Sequence, residues 1–338
     1  MKTTLLGKSI EAIEATLQPI RGSFFHANEV AKWLYKGNNL DFNTIVAIPL
    51  SLRKSLDLQY TSGKYLPSQV IESKDGSRKY LFSNDKGQKF ESVFMPHKNR
   101  NTLCISSQSG CRMGCGFCLT AKVGFNGNLT SLDILNQYYS IPEHKKVNRI
   151  VIMGMGEPFD NFSEIKNAIE VLTSQWGANF GASNITLSTV GLIEPLKAFL
   201  ENPFCNLAIS LNNPISIERM RIMPIEKNNP IDQVIEIIRG NLPKKPFRVS
   251  FEYVALGNLN LSVKHAIAIA ELLAGIKCHV NIIPWNLHNG ASFIAPEEKE
   301  LNGFIDCLNE SGVLTTVRFS RGQDIGAACG QMAGLSGR

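Results

Sequence analysis

The sequence predicts an α/β protein: a partial (β/α)6 barrel, preceded by a small helical unit and an antiparallel β meander. Three observations carry this reading. Apolar strand-like runs recur through the last two thirds of the chain. Amphipathic stretches of helical period separate most of them. The chemically distinctive residues gather just after those runs. Residues 1–64 read as helices, in "GKSIEAIEATLQPI", "HANEVAKWLYKG" and "DFNTIVAIPLSLRKSLDL", with breaks at Gly22, Gly37 and Pro49. Residues 65–100 change to a period of two. Asp75-Gly76 and Lys86-Gly87 mark turns between alternating runs, the signature of a meander. Residues 101–320 carry "TLCIS", "RIVIMG", "NITLST", "CNLAISL", "RVSFEYVAL", "CHVNIIP" and "LTTVRFS". Buried strands alternating with helices such as "SLDILNQYYS" and "SEIKNAIEVLTSQ" give βαβ units and a parallel sheet. Six units are too few to close an eightfold barrel. Residues 321–338 form a tail rich in Gly and Ala.

In such a barrel, functional residues sit at the C-terminal ends of strands. "GMGEP" (154–158), "STVG" (188–191), "SLNN" (210–213) and "PWN" (284–286) all fall there, as does the loop "SQSGCRMGCGFCLTAKVGF" after the first strand. That shared placement points to one site.

Composition narrows the chemistry. The chain opens without an apolar signal segment, and no apolar run is long enough for a bilayer, so a cytoplasmic, membrane-free protein is expected. Thiols stay reduced there, and clustered cysteines point to metal or redox chemistry. Cys205, Cys278 and Cys307 are isolated in apolar or helical contexts and read as packing residues. Residues 1–150 hold 20 Lys and Arg against 11 Asp and Glu; residues 151–338 hold 15 against 18. A basic front half suits a polyanionic partner, with Lys32, Lys36, Arg53, Lys54, Arg78, Lys79, Lys98 and Arg100 as candidate phosphate contacts.

Cys111, Cys115 and Cys118 form C-x₃-C-x₂-C. Structural zinc wants four ligands, and the loop supplies three. A [4Fe–4S] cube has four irons, so three thiolates leave one iron open to a small molecule. Gly110, Gly114 and Gly116 let the backbone wrap closely around such a cube. The alternative is a zinc site completed by a distant Cys or His.

This loop after the first strand of a partial barrel resembles the radical S-adenosylmethionine (SAM) superfamily. "TLCISSQSGCRMGCGFCLTAKVGFNGNLT", "MGMGEP", "ITLSTVG", "LAISLN", "FEYVALG", "NIIPWN" and "RGQDIGAACGQ", with "FHANEVAKWLYKG" and "ESVFMP", resemble the RlmN/Cfr family of RNA adenine methyltransferases over residues 8–334. The resemblance implies one [4Fe–4S] cluster on Cys111, Cys115 and Cys118, and two SAM molecules per turnover. It implies SAM contacts at Gly156, Glu157, Ser188, Ser210, Leu211, Asn212 and Asn286. The family has His where Asn212 stands. Asn can donate and accept hydrogen bonds but cannot change charge near neutral pH.

The resemblance further implies distinct jobs for two more cysteines. Adenine C2 is electrophilic, so direct methyl transfer from a sulfonium fails. Cys329 would instead be methylated, lose a hydrogen atom from that methyl group and join its carbon to C2. Cys104 would then remove the C2 proton and attack the Cys329 sulfur, releasing product and leaving a disulfide. Glu91 matches a proton-acceptor position or orients the target. A splayed base in 23S rRNA or tRNA is the implied substrate. The implied electron donor is a flavodoxin or ferredoxin, and the enzyme a monomer. The N-terminal "FHANEVAKWLYKG" and the C-terminal tail lie nearer the C2 branch than the C8 branch, whose activity gives antibiotic resistance. The third class, a non-enzymatic RNA-binding metalloprotein, would need neither Cys104 nor Cys329.

Overall fold

The computed structural model describes residues 2–37, 41–244, 246–287 and 292–333. The end of the expected tail, 334–338, lies outside them. Among the described residues no helix is long and apolar enough to cross a membrane.

The chain starts with β1 (Thr3–Thr4), which pairs in parallel with β2 (Tyr60–Thr61). Three helices lie between them. In α1 (Ile10–Leu17) the Ser9 side chain caps the start by accepting from Ala12 N. A capping box of Ser23 and His26 starts α2 (Phe24–Lys36), and Gly37 ends it. Pro49 precedes α3 (Leu50–Gln59). Ala27, Val30, Ala31 and Leu34 recur at helical spacing and are buried, so α2 turns one stripe inward.

The meander is present as β3 (Gln69–Glu72), β4 (Arg78–Ser83) and β5 (Lys89–Met95), all antiparallel. It is not a separate linker. β5 pairs antiparallel with β6 (Thr102–Cys104), the first strand of the parallel set, and the meander thereby extends the main sheet. The short pair β7 (Gln108–Gly110) and β8 (Phe125–Asn128) then frames the cysteine loop, which holds α4 (Leu119–Val123).

The parallel set continues through α5 (Ser131–Tyr139), β9 (Arg149–Ile152), α6 (Phe162–Thr173), β10 (Ile185–Thr189), α7 (Ile193–Glu201) and β11 (Asn206–Ser210). After α8 (Ser216–Ile222) and α9 (Ile231–Gly240) come β12 (Val249–Ala255), α10 (Val263–Leu272), β13 (Val280–Pro284), α11 (Glu298–Glu310) and β14 (Thr315–Val317). One ten-stranded mixed sheet results, in the order β14-β13-β12-β11-β10-β9-β6-β5-β4-β3. The seven parallel strands stand in sequence order, as a partial barrel requires.

The two faces of this sheet differ. Ile185 and Leu187 of β10 are fully buried, and α6 adds Ile165, Ala168, Ile169 and Leu172 to the same core. Each such side chain contributes roughly 1.5–3 kcal/mol on burial. Thr186 and Ser188 point the other way and are half-buried. In-register residues share a face. Cys104 pairs with Val151, and Thr186 with both Val151 and Asn206. Ser188 lies two residues on from Thr186, and Ser210 four from Asn206. Glu252 is in register with Ser210. Cys104, Ser188, Ser210 and Glu252 therefore share one polar face.

Candidate active site

The cysteine loop is shaped by its own backbone. Gly110 sits at φ 77°, and a Cβ there would lie 1.7 Å from Gly124 O, so only Gly closes the loop. Cys111 N donates to Gly124 O (3.0 Å) and Cys118 N to Cys115 O (3.1 Å). Gly116 N donates to Ile222 O (2.9 Å), and Trp285 Nε1 to Phe117 O (3.1 Å). Arg112 grips Asp160 bidentately, at 2.7 and 2.6 Å. Burial pushes the Cys111 thiol up to about 12, and burial with the neighbouring thiols pushes Cys115 up as well. The set is purely soft, comes from one loop and supplies three ligands, which fits a cube with one open iron. Among the described residues no three His, Cys, Asp or Glu side chains are grouped closely enough to hold a single metal ion.

Beside the loop, Gly156 (φ 97°) lets the "GEP" backbone press onto the loop's stem. A Cβ there would meet Gln108 Cβ at 2.5 Å and Ser107 Oγ at 2.7 Å. Glu157 is buried and accepts from Thr189 Oγ1 (2.5 Å), Val190 N (2.9 Å) and Phe159 N (3.0 Å). Burial nevertheless lifts its carboxyl to about 7. A carboxylate has about four lone-pair positions, so room remains for one further donor.

The other expected SAM positions differ in what they offer. Ser188 and Ser210 are half-buried on the polar face. The Leu211 side chain is fully buried in the core, so only its backbone can face a ligand. Asn212 adopts φ 55°, a left-handed conformation that Asn tolerates better than most residues. Its side chain is engaged: Oδ1 accepts from Val254 N (2.9 Å) and Nδ2 donates to Met223 Sδ (3.2 Å). Asn286 Nδ2 donates to Ser320 Oγ (2.8 Å) and Cys329 O (3.2 Å), so it holds the tail.

That tail enters the site. Leu119 N donates to Gly330 O (2.8 Å) and Thr120 Oγ1 to Met332 O (2.6 Å). A cavity of about 120 Å³ remains, lined by Cys118, Met153, Trp285, Asn286, Cys329 and Met332 among others. It is smaller than the roughly 300 Å³ at which small-molecule pockets begin. Cys104 is 7% exposed, and burial followed by the charge of Cys329 pushes its thiol up. Crowding by the cavity walls and then the charge of Glu252 push the Cys329 thiol up too, although the residue keeps solvent-exposed surface. The disulfide implied by resemblance is not formed: all eight cysteines are free thiols. Thiolate is the species that exchanges, and both environments favour the neutral thiol.

Glu91 is 1% exposed, faces Lys79 Nζ at 3.4 Å and accepts from Ala333 N (3.3 Å). Two phosphate-contact expectations are thereby corrected. Lys79 is 6% exposed, directed to Glu91 and Gly326 O rather than outward. Arg78 is taken by Glu143 and Glu72. Arg53 donates to Ile48 O and Asn43 O, and Lys32 pairs with Glu29. Lys36, Lys54, Lys98 and Arg100 are exposed.

Sequence reasoning missed two side chains. Arg219, fully buried, donates to Leu211 O (2.9 Å), Ser210 O (2.9 Å) and Val190 O (3.3 Å), and pairs with the equally buried Glu226 (2.5 Å). It ties the ends of β10 and β11 to α8. Glu252 leaves Oε2 without a hydrogen-bond partner among the described residues, while Oε1 accepts from Asn281 Nδ2 (2.7 Å). Nothing in "RMRI" or "SFEYV" marks either residue, since both read as ordinary helix and strand positions.

The fold and this cysteine loop define a radical SAM methyltransferase. A crystal structure of a radical SAM methyltransferase from Sphaerobacter thermophilus superposes with a TM-score of 0.94 at 34% identity, covering 98% of this chain and 100% of the other. The chain belongs to the RlmN family of dual-specificity RNA methyltransferases. A Parabacteroides distasonis protein named "Probable dual-specificity RNA methyltransferase RlmN" is 41% identical over 332 residues, 98% of this chain and 97% of its own length. A Thermus thermophilus protein of the same name is 36% identical over 327 residues, 95% of this chain and 92% of its own. No protein-family model matches the sequence.

Proposed function

We propose that this protein methylates C2 of an adenosine in 23S rRNA and in tRNA, with Cys329 carrying the methyl group. The observation that supports it is the meeting of Cys118 and Cys329 in one cavity, with Cys104 close enough to Cys329 for their charges to interact. Cys111, Cys115 and Cys118 would hold a [4Fe–4S] cluster, with SAM against Gly156, Glu157, Ser188 and Ser210. When bound, that pair supplies a methyl group and, on one-electron reduction, a hydrogen-abstracting 5′-deoxyadenosyl radical.

The chain's own residues then divide the work. Cys329 Sγ accepts the methyl group, and its S-methyl carbon, after loss of one hydrogen atom, bonds to adenine C2. The adduct then gives up one electron to the redox chain that started the reaction. Cys104 takes the C2 proton, and its sulfur attacks Cys329 Sγ. The carbon–sulfur bond breaks, the released carbon takes up a proton to become the product methyl, and a transient sulfur–sulfur bond forms. Reduction by an external thiol restores both thiols. Glu91, next to the tail at Ala333, holds the tail or orients the base. Residues 1–64 act as an RNA-binding accessory unit, and an electron donor such as a flavodoxin or ferredoxin completes the system in a reducing cytoplasm.

Mass spectrometry of nucleosides from cells with and without the gene tests the target. Loss of 2-methyladenosine from both rRNA and tRNA is expected; loss of 8-methyladenosine instead overturns the C2 assignment. Anaerobic reconstitution should give about four iron and four sulfide per chain, and stoichiometric zinc without iron would remove the cluster.

A further inference from the structure

A second cavity, of about 490 Å³, opens at the opposite end of the sheet. Asn148 and Asn184, which line it, directly precede β9 and β10. The reaction site lies at the other ends of those strands, about 15 Å away at ~3.3 Å per residue. The volume is that of a small-molecule site.

Its lining has a consistent chemistry. The half-buried Phe180 presents aromatic surface and is backed edge to face by the buried Tyr138, 5.5 Å between centroids at 84°. Lys36 and Lys145 are exposed at the rim. Among the described residues lining it there is no Asp or Glu, and neither lysine is in an ion pair. Lys64 lies close by and donates to Gly37 O (2.8 Å). Burial, then the charge of Lys145, lowers Lys64 to about 8. Burial, then Lys64 and Lys145, also lowers His144. The cations crowd one another without a counter-charge. His144 Nδ1 faces Ile141 O at 3.1 Å and so carries the proton, leaving Nε2 as an acceptor.

We propose that this cavity binds a nucleoside 5′-phosphate unit, its base against Phe180 and its phosphate on Lys36 and Lys145. An aromatic face stacks any base, and lysines take the phosphate without reading sequence. Asn184 and His144 Nε2 offer polar contacts for the base edge or ribose. The unit comes either from a strand of bound RNA or from a free nucleotide. This site does not rest on the methyl-transfer reading, which iron content and 5′-deoxyadenosine formation test separately.

The test is calorimetric titration of the cluster-loaded full chain with UMP, with a short oligouridylate and with inorganic phosphate. Neither uridine ligand carries adenine for the reaction site. Lys36→Glu combined with Lys145→Glu, both exposed, should weaken UMP or oligouridylate binding at least tenfold. Phe180→Ala should weaken UMP but not inorganic phosphate. Competition between UMP and oligouridylate assigns the RNA strand as the source; UMP binding that leaves oligouridylate affinity unchanged assigns the free nucleotide. If the charge reversals change neither affinity, or phosphate binds as tightly as UMP, the proposal is wrong.

Discussion

Arg219→Met should uncouple the stability of the chain from the integrity of its site. The guanidinium donates to three carbonyls at the ends of β10 and β11 and pairs with Glu226, both side chains fully buried. Removing it leaves a buried carboxylate without its partner, which costs about 3–5 kcal/mol. Glu226 also accepts from Ile231 N at the start of α9 (3.2 Å), so the second change must keep an acceptor. Arg219→Met with Glu226→Gln removes the uncompensated charge and keeps that bond. It should recover the part of the lost stability that the uncompensated charge costs, while the three carbonyls of β10 and β11 stay without their donor. It should not recover the site, because α8 no longer ties the strand ends, and Ile222 at the end of α8 holds the cysteine loop through Gly116 N. Urea unfolding midpoints at unchanged slope measure the first effect. Iron and sulfide content with SAM affinity measure the second. A single variant within about 1 kcal/mol of wild type, or a double variant no more stable than the single, refutes the reasoning.

Three further outcomes are expected. Burial holds the Glu157 carboxyl at about 7 against 4.5 when free, so the folded chain binds more protons than the unfolded one between those values. Its contribution is therefore full below pH ~4.5 and lost as pH rises through ~7, about 3 kcal/mol in all; unfolding curves of wild type and Glu157→Gln that run parallel from pH 5 to 8 would contradict this. Cys104→Ala should accumulate a denaturation-stable protein–RNA adduct on gels, whereas Cys329→Ala should form none; a Cys104→Ala enzyme that turns over normally would end the assigned roles. RNA affinity should fall with salt, and charge reversal of the exposed Lys54, Lys98 and Arg100 should flatten that slope, while an affinity indifferent to ionic strength would remove the basic front half as an RNA footprint.

The parts of this molecule legible in the sequence are those with a local period or a short spacing. The strands announce themselves by apolar runs bounded by turns, and Cys111, Cys115 and Cys118 by their spacing. Gly156 is legible only through the resemblance of "MGEP" to the family's motif, and its positive φ emerges only in the folded chain. What escaped depends on distant partners. Lys79 looks like any surface lysine in "SRKY", yet the alternation of β4 turns it inward to meet Glu91 on the adjacent strand. Arg219 meets its carbonyls only once β10, β11 and α8 are assembled. Leu211 and Asn212 stand together after β11 in the sequence, yet the Leu211 side chain goes to the core while the backbone turns left-handed at Asn212, whose side chain is taken up by Val254 N and Met223 Sδ. The meander's fusion to the main sheet rests on β5 pairing with β6, and no residue in "MPHKNRNT" encodes that pairing by itself.

The tail that carries Cys329 is fastened unevenly, as suits the methyl-carrying role proposed for its thiol. Upstream it is anchored to the meander by charged groups. Asp324 accepts from Ser73 Oγ (2.6 Å) and Lys74 N (3.1 Å), and Asp75 receives Gly322 N (3.0 Å) while Arg321 reaches Asp75 and Pro96 O. These bonds are charge-assisted, although water at the exposed Asp324 screens them. Near the thiol the fastening is lighter: Asn286 Nδ2 on Cys329 O at 3.2 Å, Leu119 N on Gly330 O, and Thr120 Oγ1 on Met332 O. Those are neutral bonds, nearer 0.5–1.5 kcal/mol each. Gly326 and Gly330, both at positive φ, flank the cysteine and give the backbone its freedom to turn. A tail firmly rooted at Arg321–Asp324 and lightly held at Cys329 can swing its sulfur between positions without leaving the site. The meander is thus part of the active-site apparatus, since β4 and its turn carry the tail's root.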